Sequence, residues 1–141
     1  MSRVLLFVED DRDDVELTLL GFRRFEHEIL VVRDGKEALE WLAAGYAHSR
    51  PLPAAILTDL KMPRMDGLEL LHHLKEDPRL RDIPVLFLTS SGNEADQAEA
   101  ARLGAAAYFR KPSDLGDYPE IVKRTRELMA AGEPPARVKA P

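Results

Sequence analysis

The sequence predicts an α/β fold, a doubly wound sheet of five parallel strands with helices on both faces. Two observations predict it. Short aliphatic runs alternate five times with longer stretches whose apolar residues recur at helical spacing, the pattern of successive βα units. The aliphatic runs are also largely continuous rather than alternating with polar residues, as strands buried on both faces must be. The chain has 141 residues, enough for one such domain and too few for two.

Taken in order, Val4–Val8 is the first buried run. An acidic segment starting at Asp10 follows it, and Val15, Thr18, Leu19 and Phe22 then recur as one face of a helix. Residues 29–32 form a second β-branched run, punctuated by Asp34-Gly35. Residues 36–44 read as a helix with Ala38, Leu39 and Leu42 inward, and residues 45–53, with two prolines, read as a loop. Residues 54–58 are a third strand, stopped by Asp59. Met62-Pro63 begins a turn, Asp66-Gly67 caps a helix with Leu70, Leu71 and Leu74 inward, and Asp77-Pro78 ends it.

Residues 84–89 are a fourth strand. The helix over 94–103 has an apolar side made mostly of alanine, which predicts weak packing, and Gly104 closes it. Residues 106–109 are a short fifth strand, ended by Lys111-Pro112, and Ile121, Val122, Thr125, Leu128 and Met129 form the stripe of a final amphipathic helix. Residues 1–131 are therefore expected to be one domain, and residues 132–141, with Glu-Pro-Pro and scattered charges, a flexible C-terminal tail. With no linker legible, the domain is expected to act without an output domain of its own.

Charge and composition narrow the function. A net charge of −5 argues against a nucleic-acid footprint, which requires a basic face. The absence of cysteine excludes disulfides and thiolate metal sites and suits a reducing compartment. The longest apolar runs are far too short to span a membrane. Met1-Ser2-Arg3 leads straight into the first strand without a signal-peptide pattern, so the cytoplasm is the expected location.

The chemistry lies at the strand ends. Ligands of open α/β sheets bind outside the carboxyl ends of the strands. Four of the five inferred strands end there in a reactive side chain: Glu9-Asp10, Asp59, Thr89 and Lys111. A parallel sheet places all of these ends on one edge, so three carboxylates, a hydroxyl and an ammonium should share a cleft. Packed carboxylates repel one another unless a cation neutralises them, and an oxygen-only set suits Mg²⁺, which keeps waters and accepts phosphate oxygens. Asp59 could then attack phosphorus as a carboxylate nucleophile, while Thr89 and Lys111 stabilise charge on the phosphoryl oxygens.

The segments Phe7-Val8-Glu9-Asp10-Asp11, Thr58-Asp59-Leu60-Lys61-Met62-Pro63-Arg64-Met65-Asp66-Gly67, Leu88-Thr89-Ser90 and Arg110-Lys111-Pro112 resemble the receiver domains of two-component response regulators. The resemblance covers about residues 3 to 130. It implies the flavodoxin-like receiver fold with strand order 2-1-3-4-5. It also implies that Asp59 is the phosphoacceptor, that Asp10, Asp59 and the backbone carbonyl of Lys61 hold Mg²⁺, and that Glu9 acts through a metal-bound water. Thr89 and Lys111 take the catalytic positions, Thr89 and Tyr108 the switch positions, and Lys61 and Ser91 the variable positions that tune phosphoryl lifetime. The implied partner is a sensor histidine kinase that donates from a phosphohistidine. More narrowly, the acidic run from Glu9 to Asp14, the long lead from Trp41 to Pro53, and Lys111-Pro112 followed by Tyr118 resemble stand-alone receivers paired with bacterial phytochromes. That subgroup implies a bacteriophytochrome as the kinase and a homodimer through the C-terminal helices.

Several residues read more plainly. Asp11 is expected as a helix N-cap and Asp66-Gly67 as a cap and turn. Met62 and Met65 are expected in packing, while Arg12, Lys61 and Arg64 are solvated charges ringing the cleft. His72 and His73 are adjacent on a helix and so make a poor metal pair, and His27 and His48 show no partner in the sequence. Other functions on related folds fit less well. A haloacid-dehalogenase-type phosphatase needs a second aspartate where Lys61 stands, a flavin carrier would meet repulsion from Glu9-Asp10-Asp11, and a nucleotide switch needs a Gly-rich loop ending in Gly-Lys. The alternative that keeps the fold is a pseudo-receiver, an interaction module that is never phosphorylated. In either case the expectation is a signalling protein that converts no metabolite.

Overall fold

The structure, a computed structural model, describes residues 3–131. The expected tail over 132–141 lies outside them. Five parallel strands, β1 (Val4–Val8), β2 (Glu28–Val32), β3 (Ala55–Thr58), β4 (Val85–Thr89) and β5 (Ala107–Arg110), form one sheet in the order β2-β1-β3-β4-β5. The connecting helices are α1 (Arg12–Gly21), α2 (Gly35–Ala47), α3 (Gly67–Glu76), α4 (Glu94–Arg102) and α5 (Tyr118–Ala131), the last preceded by a 3₁₀ turn over Leu115–Asp117. This is the doubly wound receiver architecture expected from the sequence.

The strand alternation splits the core in two. Leu6, Val8, Ile56, Val85 and Phe87 face one side of the sheet, where they pack with Leu42 of α2, Leu70, Leu71 and Leu74 of α3 and Ala100 of α4. Leu5, Phe7, Leu57, Leu86 and Leu88 face the other side, against Tyr118, Ile121, Val122 and Met129 of α5 and Phe22 beyond α1. The helix starts are fixed by side chains: Asp11, Asp34, Asp66 and Asn93 each accept a backbone N–H of the first turn. At Asp66 the cap is reciprocal, because the Glu69 carboxylate returns to the Asp66 amide.

The structure departs from the sequence reading in several places. Helix α2 runs on through Gly45, Tyr46 and Ala47, which were expected in a loop. The chain folds back over this end: Arg50 Nη2 donates to the Trp41 carbonyl at 2.6 Å, and its guanidinium stacks 3.9 Å above the Trp41 ring. A Cβ on Gly45 would stand 2.7 Å from Arg50, so the glycine here makes room rather than breaking the helix. Ser49, at φ 58°, makes the turn that follows. In α1, of the two expected neighbours Thr18 and Leu19, Thr18 is buried with its hydroxyl paired to Tyr118, whereas Leu19 is more than a third exposed. Strand β5 starts and ends one residue later than expected, so Arg110 joins the ladder opposite Thr89. Helix α4 buries only Ala100, as its alanine-rich side predicted. His27 does have partners: Nδ1 accepts the Arg3 amide at 3.2 Å, and Nε2 lies 3.6 Å from Glu26.

Candidate functional site

Glu9, Asp59 and Lys111 each stand one step beyond a strand and are fixed there by a continuation of the sheet ladder. The Glu9 amide donates to the Val32 carbonyl at 2.9 Å, the Asp59 amide to Val8 at 3.0 Å and the Lys111 amide to Thr89 at 2.8 Å. Residues from three distant stretches are thereby brought to the same sheet edge by backbone hydrogen bonds, before any side chain is considered.

Their side chains converge. The Lys111 amine lies 3.0 Å from Asp59 Oδ2, 2.9 Å from Glu9 Oε1 and 2.6 Å from Asp14 Oδ2. The other Asp59 oxygen, Oδ1, accepts the Leu60 amide at 2.6 Å. Carboxylate oxygens of Glu9, Asp10 and Asp59 all lie within 4.8 Å of one another. Glu9 and Asp59 are buried, whereas Asp10 is exposed at the cleft mouth.

The electrostatics of the site favour positive charge beside its acids. Burial, reinforced by the nearby Asp59 charge, pushes the Glu9 carboxyl up to about 7, and Lys111 only partly offsets this. Glu9 Oε1 is within ion-pair distance of the Lys111 amine but off its hydrogen-bonding direction, so this buried oxygen has no hydrogen bond among the described residues. Burial alone would lower the Lys111 amine, but its close contacts with the carboxylates of Asp14, Glu9 and Asp59 outweigh it and hold the amine charged. An oxygen-only donor set with one unsatisfied buried oxygen fits a hard divalent cation.

The remaining residues of the set surround this centre. Thr89 is buried at the end of β4, and its Oγ1 accepts the Ser91 amide at 3.2 Å. Ser91 Oγ donates to Asp96 Oδ2 of α4 at 2.9 Å, and the Tyr108 hydroxyl reaches the Ser91 carbonyl at 3.4 Å. The Tyr108 ring stacks on Phe87 with centroids 5.8 Å apart and 26° between planes. Lys61 opens the loop two residues beyond Asp59, with its amine exposed and 4.0 Å from Asp96. A Cβ on Gly67 would stand 2.3 Å from the Asp59 carbonyl and 2.8 Å from the Phe87 ring, so only a glycine lets α3 start this close to the site.

Two expectations change here. Arg64, expected as a solvated charge by the cleft, instead forms a two-point contact with the buried Asp34, with Nε at 2.8 Å and Nη2 at 3.2 Å. Asp14, read only as part of an acidic run, makes the shortest contact to Lys111. Nothing in its sequence position separates it from the ordinary acids of a first helical turn; only the neighbouring element reveals it. Met62 and Met65 pack against the core as expected. His72 pairs loosely with Glu76, at 3.6 Å.

The model of the response regulator receiver domain matches residues 5–123. The chain belongs to the receiver-domain family of response regulators. Among relatives of this receiver, Response regulator Rcp1 of Synechocystis sp. (strain ATCC 27184 / PCC 6803 / Kazusa) is 36% identical over 124 residues, covering 86% of this chain and 84% of Rcp1. A structure of Rcp1 described as Mn²⁺-bound superposes with a TM-score of 0.77 at 32% identity, covering 99% of both chains. The phosphorylated cyanobacterial phytochrome response regulator RcpA superposes at 0.81, with 33% identity over 95% of this receiver and 98% of RcpA. The bacteriophytochrome response regulator RtBRR superposes at 0.78, with 38% identity, covering all of this receiver and 84% of RtBRR. Receivers of this kind are signalling proteins of two-component systems. Among the described residues of this one, no helix is long and apolar enough to cross a membrane.

Proposed function

We propose that this receiver accepts a phosphoryl group on Asp59 from a sensor histidine kinase, with Mg²⁺ bound, and signals through the resulting change of shape. The observation that carries the reading is the meeting of Asp59 with the Lys111 amine at 3.0 Å beside the Glu9–Asp10–Asp59 oxygen cluster. Asp10, Asp59 and the Lys61 backbone carbonyl would hold the ion, with Glu9 acting through a water, and the ion would neutralise charge on a phosphoryl oxygen.

The chain's own residues do the rest. An Asp59 carboxylate oxygen attacks phosphorus, the O–P bond forms, and the P–N bond to the donor imidazole breaks with its electron pair going to that nitrogen. The Lys111 amine already points at the Asp59 carboxylate and can pass one N–H to a phosphoryl oxygen. The Thr89 hydroxyl, now bound to the Ser91 amide, can turn to another. That turn pulls on the loop carrying Ser91 and, through Asp96, on α4, with Tyr108 following the Ser91 carbonyl. The module catalyses its own phosphorylation and dephosphorylation and converts no metabolite.

The likeness to RcpA, a cyanobacterial phytochrome response regulator, and to RtBRR, a bacteriophytochrome response regulator, supports a phytochrome-type kinase, a bacteriophytochrome in our reading, as the donor. We further propose a cytoplasmic location and a homodimer through the C-terminal helices. Incubation with an autophosphorylated bacteriophytochrome tests the reading: wild type should gain label and Asp59→Asn should not. A pseudo-receiver would stay unlabelled in both forms.

A further inference from the structure

We propose that Asp14 is the positioning residue for Lys111, holding the amine at the cleft when a cation claims the other carboxylates. The inference rests on the reading of Asp59 as phosphoacceptor and adds a residue to it.

An ammonium has three N–H donors, and three carboxylates face this one. Asp14 is the nearest, at 2.6 Å against 2.9 Å for Glu9 and 3.0 Å for Asp59. Glu9 and Asp59 belong to the oxygen cluster that fits a cation, and Asp14 does not. Those two carboxylates would be drawn toward a divalent ion held in that cluster, and their hold on the ammonium would weaken. Asp14, outside the cluster, would keep its bond. The long, flexible lysine side chain, deprived of the other two partners, then still has one anchor beside the phosphoryl position.

Asp14 can serve as an anchor because α1 is locked to the segment after β5. Asp14, Thr18 and Gly21, at spacings of four and three, line one face of that helix. Thr18 Oγ1 lies 2.9 Å from the buried Tyr118 hydroxyl, and a Cβ on Gly21 would stand 2.3 Å from the Tyr118 ring. These contacts fix the helix face that carries Asp14 against the chain that carries Lys111, although 97 residues separate the pair. An acid that served only the helix dipole would point to solvent. This one points at the amine.

The test is the initial rate of aspartyl-phosphate formation from acetyl phosphate with Mg²⁺, in wild type, Asp14→Ala, Asp14→Asn, Lys111→Ala and the Asp14→Ala/Lys111→Ala pair. Asp14→Ala should slow the reaction about tenfold, and Asp14→Asn should lose less because its amide oxygen still accepts. In the Lys111→Ala background, removing Asp14 should cost nothing further, since its effect runs through the amine. A merely structural role would lose the same factor in both backgrounds and overturn the inference, as would Asp14→Ala reacting at the wild-type rate. If Asp14→Ala fails to fold, the near-isosteric Asp14→Asn decides, and a wild-type rate there overturns the proposal. An unlabelled wild type would overturn the phosphoacceptor reading and this inference with it, whereas a labelled wild type and unaffected Asp14 variants overturn the inference alone.

Discussion

Lys111 Nζ lies 3.0 Å from Asp59 Oδ2, across 52 residues of chain. The contact follows from the topology: β3 and β5 flank β4 in the sheet order, and each releases its last backbone donor onto the neighbouring strand before the side chain turns into the cleft. A long amine from β5 thus crosses the end of β4 to reach the acid of β3. The predictions below concern what holds that geometry and what it does.

Gly67 sets the distance between α3 and Asp59. Gly67→Ala puts a methyl carbon 2.3 Å from the Asp59 carbonyl, a backbone atom that cannot swing aside. The variant should lose about 1–3 kcal/mol of stability in urea unfolding through overpacking. It should also be phosphorylated more slowly by acetyl phosphate than its stability loss explains.

Asp34 pins the loop after β3 to the start of α2. Burial alone would raise its carboxyl, but the Arg64 guanidinium and the Glu37 amide outweigh it and hold the group below the ordinary 3.8. A carboxyl lowered on folding contributes stability that is fully present above its unfolded value and lost as pH falls through the folded one. Asp34→Ala should therefore cost about 1 kcal/mol at neutral pH for the cap alone. The gap between Asp34→Asn and wild type, measured by urea unfolding, should be constant above about pH 5 and close as pH falls below 3.8.

Helix α4 should be the element that moves. It buries only Ala100, and its N-terminal end is tied to the loop after Thr89 through Ser91 and Asp96. Amide exchange over residues 94–102 should change when BeF₃⁻ and Mg²⁺ are added, and Asp96→Ala should reduce that change. Equal protection in both states would contradict the proposed route from Thr89 to α4.

Much of this was legible in the sequence because buried parallel strands are written as aliphatic runs, and a polar residue at the end of such a run has few places to go. The placement of Glu9, Asp59, Thr89 and Lys111 at one sheet edge was legible in that way, and Asp11 and Asp66 by their capping positions. What stayed hidden depends on which helix face meets which neighbour. Gly45 looks like a breaker until Arg50 is seen folded over it. Thr18 and Leu19 both fit the helical spacing, and only the Tyr118 hydroxyl shows that Thr18 is the one turned inward. Arg64 and Asp14 carry no local signal at all, since their partners, Asp34 and Lys111, lie 30 and 97 residues away.

The most direct test is to treat the protein with acetyl phosphate and locate the phosphoryl group by tandem mass spectrometry, with Mg²⁺ or with EDTA. The account predicts a single modified residue, Asp59, formed only with Mg²⁺ and absent from Asp59→Asn. No modification in Mg²⁺, or an equal yield in Asp59→Asn, would contradict it.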